Sequence, residues 1–341
     1  VVCALDRTRF EPVLIGVDRD GRWLLQKEAL LLQNGDDPRR VGLQSAAPSV
    51  SLDHDDGALI TRDGVSRVDV IFPVLHGSFG EDGCVQGLME LAGIPYVGAG
   101  VLGSAVGMDK DVMKRLLRDA GIPIAEFRTL RRHVFEQDPQ AVCVTAGELG
   151  FPVFTKPANL GSSVGVRRVD GPETLRDALE HAFRFDEKVL VEKAVVGREI
   201  EVSVLGNTVP LASVPGEIVV ESADGYYSYG AKYVDEKGAR LCVPAVLSDE
   251  EIQRVQQLAV GAFMALECSG MARVDFFLEA GGRFVVNEIN TLPGFTAMSM
   301  YPRLWEASGL GAEALVTRLI ELALERHRER ARNVHRASPG G

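Results

Sequence analysis

The sequence predicts a multidomain protein that mixes α/β and α+β organisation. Three observations lead there. The chain has 341 residues, more than one hydrophobic core comfortably serves, so two or three domains are expected. Val68–Leu75, VDVIFPVL, is a nearly unbroken apolar run followed by the turn HGSFGEDG and an amphipathic helix. That succession reads as half of a βαβ unit in a small parallel sheet, with strands buried on both faces. Ala272–Gly294, ARVDFFLEAGGRFVVNEINTLPG, reads instead as an antiparallel hairpin turning at Ala280–Arg283. Composition agrees with a globular protein, at 46% apolar and 25% charged residues. A formal net charge of −11, from 48 acidic and 37 basic residues, argues against a nucleic-acid binder. No apolar run reaches the ~18 residues that a membrane helix needs. Five cysteines without CxxC spacing are expected to be reduced core residues of a cytoplasmic protein.

Taken in order, Val1–Leu5 reads as the end of a helix. The chain opens mid-element and without Met, so a further N-terminal segment is expected. Phe10–Asp18 is a strand, and the polar, broken stretch 33–66 has room for one or two edge strands. His76 and Glu81 follow the apolar strand, at the carboxyl end where such sheets bind ligands. A lone histidine at a strand end is more often satisfied structure than a catalyst, and no GxGxxG supports a dinucleotide fold. The helix built on Val85, Leu88, Met89 and Ala92 stops at Gly93 and Pro95. After the glycine-rich passage Gly98–Gly107, Asp109 caps a helix that ends at Gly121. Lys110 sits in its first turn, where the helix dipole disfavours a cation. That is a small hint of an anionic partner, although on these residues alone a solvated lysine is the better explanation.

The central stretch places strands at Phe151–Lys156 and Val164–Val169. Gly161, Ser162 and Ser163 between them offer N–H groups and hydroxyls to an anion, and Lys156 adds a point charge. No Walker A spacing is present. Pro172–Phe185 is an amphipathic helix. Strands at Lys188–Lys193 and Glu199–Leu205 follow, with Glu192, Lys193 and Glu199 bracketing their connection. Val209–Val214 is a further strand. Asp224–Tyr233 holds four of the six tyrosines, which suggests a lid or a substrate contact. Ser248–Glu251 is a capping box opening a long helix that runs past Leu266, and Gly311–Arg328 is a terminal amphipathic helix. The expected domains are 1–107, 108–206 and 207–341.

The hairpin carries the sharpest signal. If it is symmetric about its glycines, Asp275 lies opposite Glu288 and Arg273 opposite Asn290, all on one face. Two carboxylates facing each other repel. A divalent cation such as Mg2+, which prefers oxygen ligands, would relieve that. Arg273 beside them points to an anion, so the set suggests metal-bound phosphate. An ordinary ion pair on a solvated sheet face is the alternative, and these residues leave both open.

Six stretches together carry a resemblance: LHGSFGEDGCVQGLMELAGIPYVG, MDKDVMK, TKPANLGSSVGV, VEKAVVGREIEVSVLG, SYGAKY and ARVDFFLEAGGRFVVNEINTLPGFTAMS. In this order they resemble the D-alanine–D-alanine ligases of the ATP-grasp superfamily. The resemblance implies an ATP-grasp fold preceded by a Rossmann-like domain. It implies a cytoplasmic homodimer that joins two D-alanines for peptidoglycan, at the expense of ATP, through an acyl phosphate. Two Mg2+ ions, with Mn2+ as a substitute, would be held by Asp275, Glu288 and Asn290. Arg273 would steady the transferring phosphate. Lys110 and Lys156 would meet ATP phosphates under the Gly161–Ser163 loop, with Ser162 catalytic, and Lys232 would also bind the nucleotide. Adenine would lie against Glu192, Lys193, Ala194 and Val195, and ribose against Glu199. His76 and Glu81 would stand near the first D-alanine, and Gly294 and Ser299 would position the second. Lys232 and Tyr233 belong to a closing loop, and Tyr233 favours a dipeptide over a D-lactate ester. The family also begins with a strand, a glycine-rich turn and a glutamate, to which Val1–Leu5 would be the following helix. Another ATP-grasp carboxylate–amine ligase is the alternative.

Overall fold

The computed structural model describes residues 1–28, 42–53, 57–61, 64–220, 239–296 and 298–333. After a 3-10 turn at Val2–Ala4 come β1 (Leu14–Val17), β2 (Trp23–Gln26), β3 (Ser49–Leu52), β4 (Ala58–Thr61) and β5 (Gly64–Arg67). They form one sheet in chain order, and every pairing is antiparallel. This corrects the small parallel sheet expected here. Val68–Leu75 is not a strand. Its one ladder contact is a parallel bridge from Ile71 to Tyr96, Pro73 has no N–H to donate, and Val74 is exposed. An apolar run signals burial, which an irregular segment satisfies as well as a strand does. The cysteine expectation also needs correction. All five are free thiols, but only Cys268 is buried, and Cys3 and Cys84 are exposed.

Three helices follow: α1 (Cys84–Leu91), α2 (Val101–Met108) and α3 (Lys110–Asp119). The glycine-rich passage is thus mostly helix. Its glycines permit close packing, since a Cβ on Gly103 would lie 2.7 Å from Glu267 O and one on Gly107 2.8 Å from Thr291 Cγ2. Asp109 caps α3 by accepting from the N–H groups of Asp111 and Val112, both at 3.1 Å.

The central unit comprises β6 (Phe127–Arg131), α4 (Arg132–Gln137), α5 (Pro139–Gly147), β7 (Val153–Pro157), β8 (Arg167–Val169), α6 (Pro172–Ala182) and β9 (Lys188–Lys193). Its antiparallel sheet runs β6-β9-β7-β8. The helices close one face through Phe135, Val142, Leu175 and Leu179 against Val153, Val189 and Val191.

The last unit contains β10 (Arg198–Gly206), β11 (Leu211–Ala212), β12 (Gly216–Val220), β13 (Ala239–Cys242), α7 (Asp249–Ala265), β14 (Gly270–Leu278), β15 (Phe284–Asn290), α8 (Met300–Ala307) and α9 (Ala312–Ala331). The sheet order is β13-β12-β10-β14-β15, with β11 beside β10. β10 therefore belongs to this sheet, although the expected boundary at 206 places it in the central unit. α3 also joins this side, because Met113 and Leu117 share a core with Phe263 of α7.

Strand periodicity divides the large sheet into two faces. Ile200, Val202 and Val204 of β10 and Ala272, Val274 and Phe276 of β14 enter the α7 core. Their alternates Glu199, Glu201, Arg273 and Asp275 are therefore left for the opposite face. β15 keeps to this rule only through a bulge. Phe276 pairs with Val286 but Asp275 with Glu288, so Asn287 is an extra residue. Phe284, Val286 and Ile289 all reach the core. Without the bulge, strict alternation from Phe284 and Val286 would turn Glu288 into it.

Candidate active site

The register of the hairpin is the one anticipated: Arg273 pairs with Asn290 and Asp275 with Glu288. The adjoining strand extends the row, because Glu201 pairs with Asp275 and Ser203 with Arg273. Three carboxylates, Glu201, Asp275 and Glu288, thus lie side by side across three strands. Arg273 holds two of them. It donates to both oxygens of Asp275, at 2.7 and 2.8 Å, and its Nε lies 3.0 Å from Glu201 Oε2. Burial opposes the guanidinium charge, but Asp275, Glu201 and Glu288 outweigh it and hold the group protonated more firmly than usual. Glu199, Glu201, Asp275, Phe277, Asn287 and Glu288 line a small open cleft.

Among the described residues no three His, Cys, Asp or Glu side chains gather into a metal cluster. Asp275 and Glu288 line the cleft, and Asn290 follows two residues on along β15, its carboxamide oxygen accepting from Leu292 N at 3.1 Å. One or two carboxylates with substrate phosphates completing the shell is the arrangement Mg2+ favours. Hard oxygen donors beside a carboxylate row suit that ion.

Lysines bring positive charge to the same place. Lys110 Nζ donates to Leu160 O at 2.7 Å and lies 3.8 Å from Glu288. The start of α3 is fixed to the central sheet, since Lys110 N donates to Ala158 O and Ala158 N to Lys188 O, both at 3.0 Å. Lys188 also pairs with Asp109. Lys156 donates to Glu192 Oε1 at 2.6 Å and to Asn287 Oδ1 at 3.3 Å. The anion loop beside it turns through left-handed backbone at Ser162, φ 53°, and Ser163, φ 59°. The turn is closed by Val164 N donating to Gly161 O at 3.2 Å.

Glu192 lies at the end of β9 and is buried. It is 3% exposed, and its Oε2 lies 2.6 Å from Lys114 Nζ. Burial pushes its carboxyl upward, but Lys114 and Lys156 prevail and hold it at about 2. Lys193 is exposed, and Ala194 N donates to Pro152 O at 3.0 Å. His76 Nδ1 lies 3.6 Å from Glu81 Oε1, and Glu81 Oε2 accepts from Gly77 N. A Cβ on Gly294 would lie 2.8 Å from Ser299 Oγ and 3.9 Å from His76 Nε2, so these three converge. Lys232 and Tyr233 lie outside the described residues.

Sequence reasoning missed Glu201, Asn287 and Lys114. Two had a signal. Glu201 is two residues from Glu199 on one strand, and Lys114 is four from Lys110 on one helix, hence on shared faces. Asn287 had none, because a bulge brings it in.

A lysine at the start of α3 and another on the central antiparallel sheet, meeting a carboxylate row on a second sheet, is the layout of the ATP-grasp ligases. The comparisons agree and narrow it. Residues 1–99 match the D-ala D-ala ligase N-terminus family and residues 116–321 the D-ala D-ala ligase C-terminus family. D-alanine–D-alanine ligase A of Chromobacterium violaceum is 53% identical over 333 residues, covering 96% of this chain and 90% of that protein. The Escherichia coli K12 enzyme of the same name is 49% identical over 332 residues, with the same coverage. The solved D-alanine–D-alanine ligase of Coxiella burnetii superimposes with a TM-score of 0.82 at 37% identity, covering 97% of this chain and 90% of its own. A D-Ala:D-Ser ligase from Enterococcus faecalis gives 0.83 at 33%, covering 94% and 92%. The chain belongs to the D-alanine–D-alanine ligase family.

Proposed function

We propose that this chain is an ATP-dependent ligase that joins two D-alanines into the dipeptide used for peptidoglycan precursors. The observation that carries the reading is the carboxylate row with Arg273, facing Lys110 and Lys156, in a chain of this family. A carboxylate is a poor acyl donor, because its leaving group would be oxide. Transfer of the terminal ATP phosphate to one D-alanine gives an acyl phosphate, which the amine of the second attacks. Arg273, with its firmly held positive charge, offsets negative charge on the phosphoryl oxygens and then on the carbonyl oxygen. Lys110, Lys156 and the Gly161–Ser163 loop orient the phosphates. Asp275, Glu288 and Asn290 would hold magnesium, as two ions, which would supply further neutralisation of those oxygens. His76 and Glu81 flank the first amino acid, and Gly294 and Ser299 the second. Glu199 meets the ribose, and the segment from Glu192 to Val195 lies against the base. Lys232 and Tyr233 close over the site.

We further propose a homodimer in a cytoplasmic setting, with domain boundaries near 107 and, given where β10 sits, near 197 rather than 206. Among the described residues no helix is long and apolar enough to cross a membrane. The test is phosphate release from Mg-ATP with D-alanine, L-alanine, D-serine or D-lactate offered, and products identified by mass. One D-alanyl-D-alanine per phosphate, with L-alanine inert, is the expected result. Release driven better by D-serine or D-lactate as second substrate would move the assignment to the depsipeptide or D-Ala:D-Ser class. ATP binding without amino-acid-dependent release would remove the ligase reading.

A further inference from the structure

Lys114 is the least exposed charged side chain among the described residues, at 1%. It lies on α3 one turn after Lys110, on the same helix face. Its ammonium is 2.6 Å from Glu192 Oε2 and 5.9 Å from the centre of the Phe127 ring. Among the described residues Lys114 Nζ makes no hydrogen bond to any other polar group. Burying an ammonium is unfavourable, and a buried ion pair replaced as a whole by apolar side chains of similar volume is often no less stable. A charge kept there calls for a reason beyond packing.

The other side of Glu192 supplies one. Its Oε1 lies 2.6 Å from Lys156 Nζ, and Lys156 also reaches Asn287 Oδ1, next to the Glu288 end of the carboxylate row. Two lysines therefore share one buried carboxylate, leaving a single positive charge. With Glu192 and Lys156 alone the pair would be neutral, and a phosphate would have to compete with the carboxylate for the lysine. We propose that Lys114 is a positioning residue that neutralises Glu192 from the protein interior, so that Lys156 faces the cleft with its positive charge uncompensated and available to nucleotide phosphate. The inference rests on reading Lys156 as a phosphate ligand. Glu192 stays ionised throughout, because the two lysines overcome the effect of its burial.

The test is calorimetric binding of Mg-ATP, Mg-ADP and adenosine to wild type, Lys114→Met and the double variant Lys114→Met/Glu192→Gln. The readout is the ratio of ATP to adenosine affinity. A base contact by Glu192, or a general loosening of the fold, shifts both ligands together and leaves that ratio unmoved. Lys114→Met should lower the ratio about tenfold or more, since one nearby charge is lost in a partly desolvated site. ADP should fall between the two ligands. The double variant removes one charge of each sign and should return the ratio to within about threefold of wild type, the coupling expected of groups in contact. It leaves no buried carboxylate short of a partner, so it remains a test if Lys114→Met does not fold. A ratio unchanged in Lys114→Met, or a double variant depressed as far as tenfold, overturns the proposal. Wild type that binds ATP no better than adenosine instead overturns the phosphate role of Lys156, and this inference with it.

Discussion

Arg273 gathers more of the site than any other side chain, and its geometry is what a lysine cannot copy. The guanidinium makes a two-point contact with Asp275 while Nε faces Glu201 at 3.0 Å. A lysine keeps the charge but loses the planar fork. Arg273→Lys should therefore lower kcat about a hundredfold or more, with ATP affinity within a few-fold of wild type by the same calorimetry. Equal losses in kcat and ATP affinity would show a binding role instead. Glu192 makes a second prediction at this scale. Its carboxyl ionises at about 2 in the fold against an ordinary 4.5. A depressed carboxyl stabilises the fold fully above its unfolded value, and that stability is lost as pH falls from about 4.5 towards 2. The total is about 3 kcal/mol. Urea unfolding between pH 6 and 3 should show wild type losing stability faster than Glu192→Gln. Parallel curves would remove the carboxylate from the account of acid sensitivity.

At the scale of elements, β15 shows how one inserted residue builds a site. The turn pairs Glu279 with Arg283, through Glu279 N to Arg283 O at 3.0 Å, so it centres on Gly281. A hairpin symmetric between Gly281 and Gly282 gives the right partners for Asp275 and Arg273 only because Asn287 adds one residue. The bulge also turns Asn287 towards Lys156, linking the two sheets. α7 offers a cleaner test of local chemistry. Ser248 Oγ accepts from Glu251 N at 3.3 Å while Glu251 Oε2 accepts from Ser248 N at 2.8 Å. Ser248→Ala should cost about 1 kcal/mol in chemical denaturation and leave turnover unchanged. A change in turnover would mean that the cap also sets the position of the sheet beneath it.

At the scale of the whole molecule, α9 joins the ends of the chain. Arg326 donates to Ser269 Oγ at 2.7 Å and to Tyr96 O at 2.8 Å, also bonds Gly98 O, and lies 4.4 Å over the Tyr96 ring. Arg330 pairs with Glu90, which in turn accepts from Tyr96 OH at 2.7 Å. The loop at His76 and the hairpin site sit on opposite sides of this clasp in sequence and must be held in register. Arg326→Met keeps the apolar stem but strands the carbonyls of Tyr96 and Gly98. It should destabilise the protein by about 3 kcal/mol and raise KM for D-alanine more than KM for ATP. Loss of stability with both KM values unchanged would limit the clasp to a structural part.

Much of this was legible in the residues themselves. The alternation of ARVDFFL and FVVNEIN, with glycines between, dictated a hairpin with charge on one face, because backbone geometry fixes the period. Asp109 and Ser248 announced their helices by capping chemistry that is local. The six stretches in order were specific enough to name the family. Tertiary structure decided what depends on contacts distant in sequence. The run VDVIFPVL records that burial is wanted but not whether a partner strand is there to pair with it. Glycines 103 and 107 read as a loop along the chain, but they stand in a helix where Glu267 and Thr291 lie too close to admit a Cβ. Glu192 looked like a residue at a strand end, and only the approach of α3 and β7 surrounded it with two lysines. Charge alternation is written along the chain, whereas the compensation of a buried charge is settled by whichever side chain arrives from elsewhere.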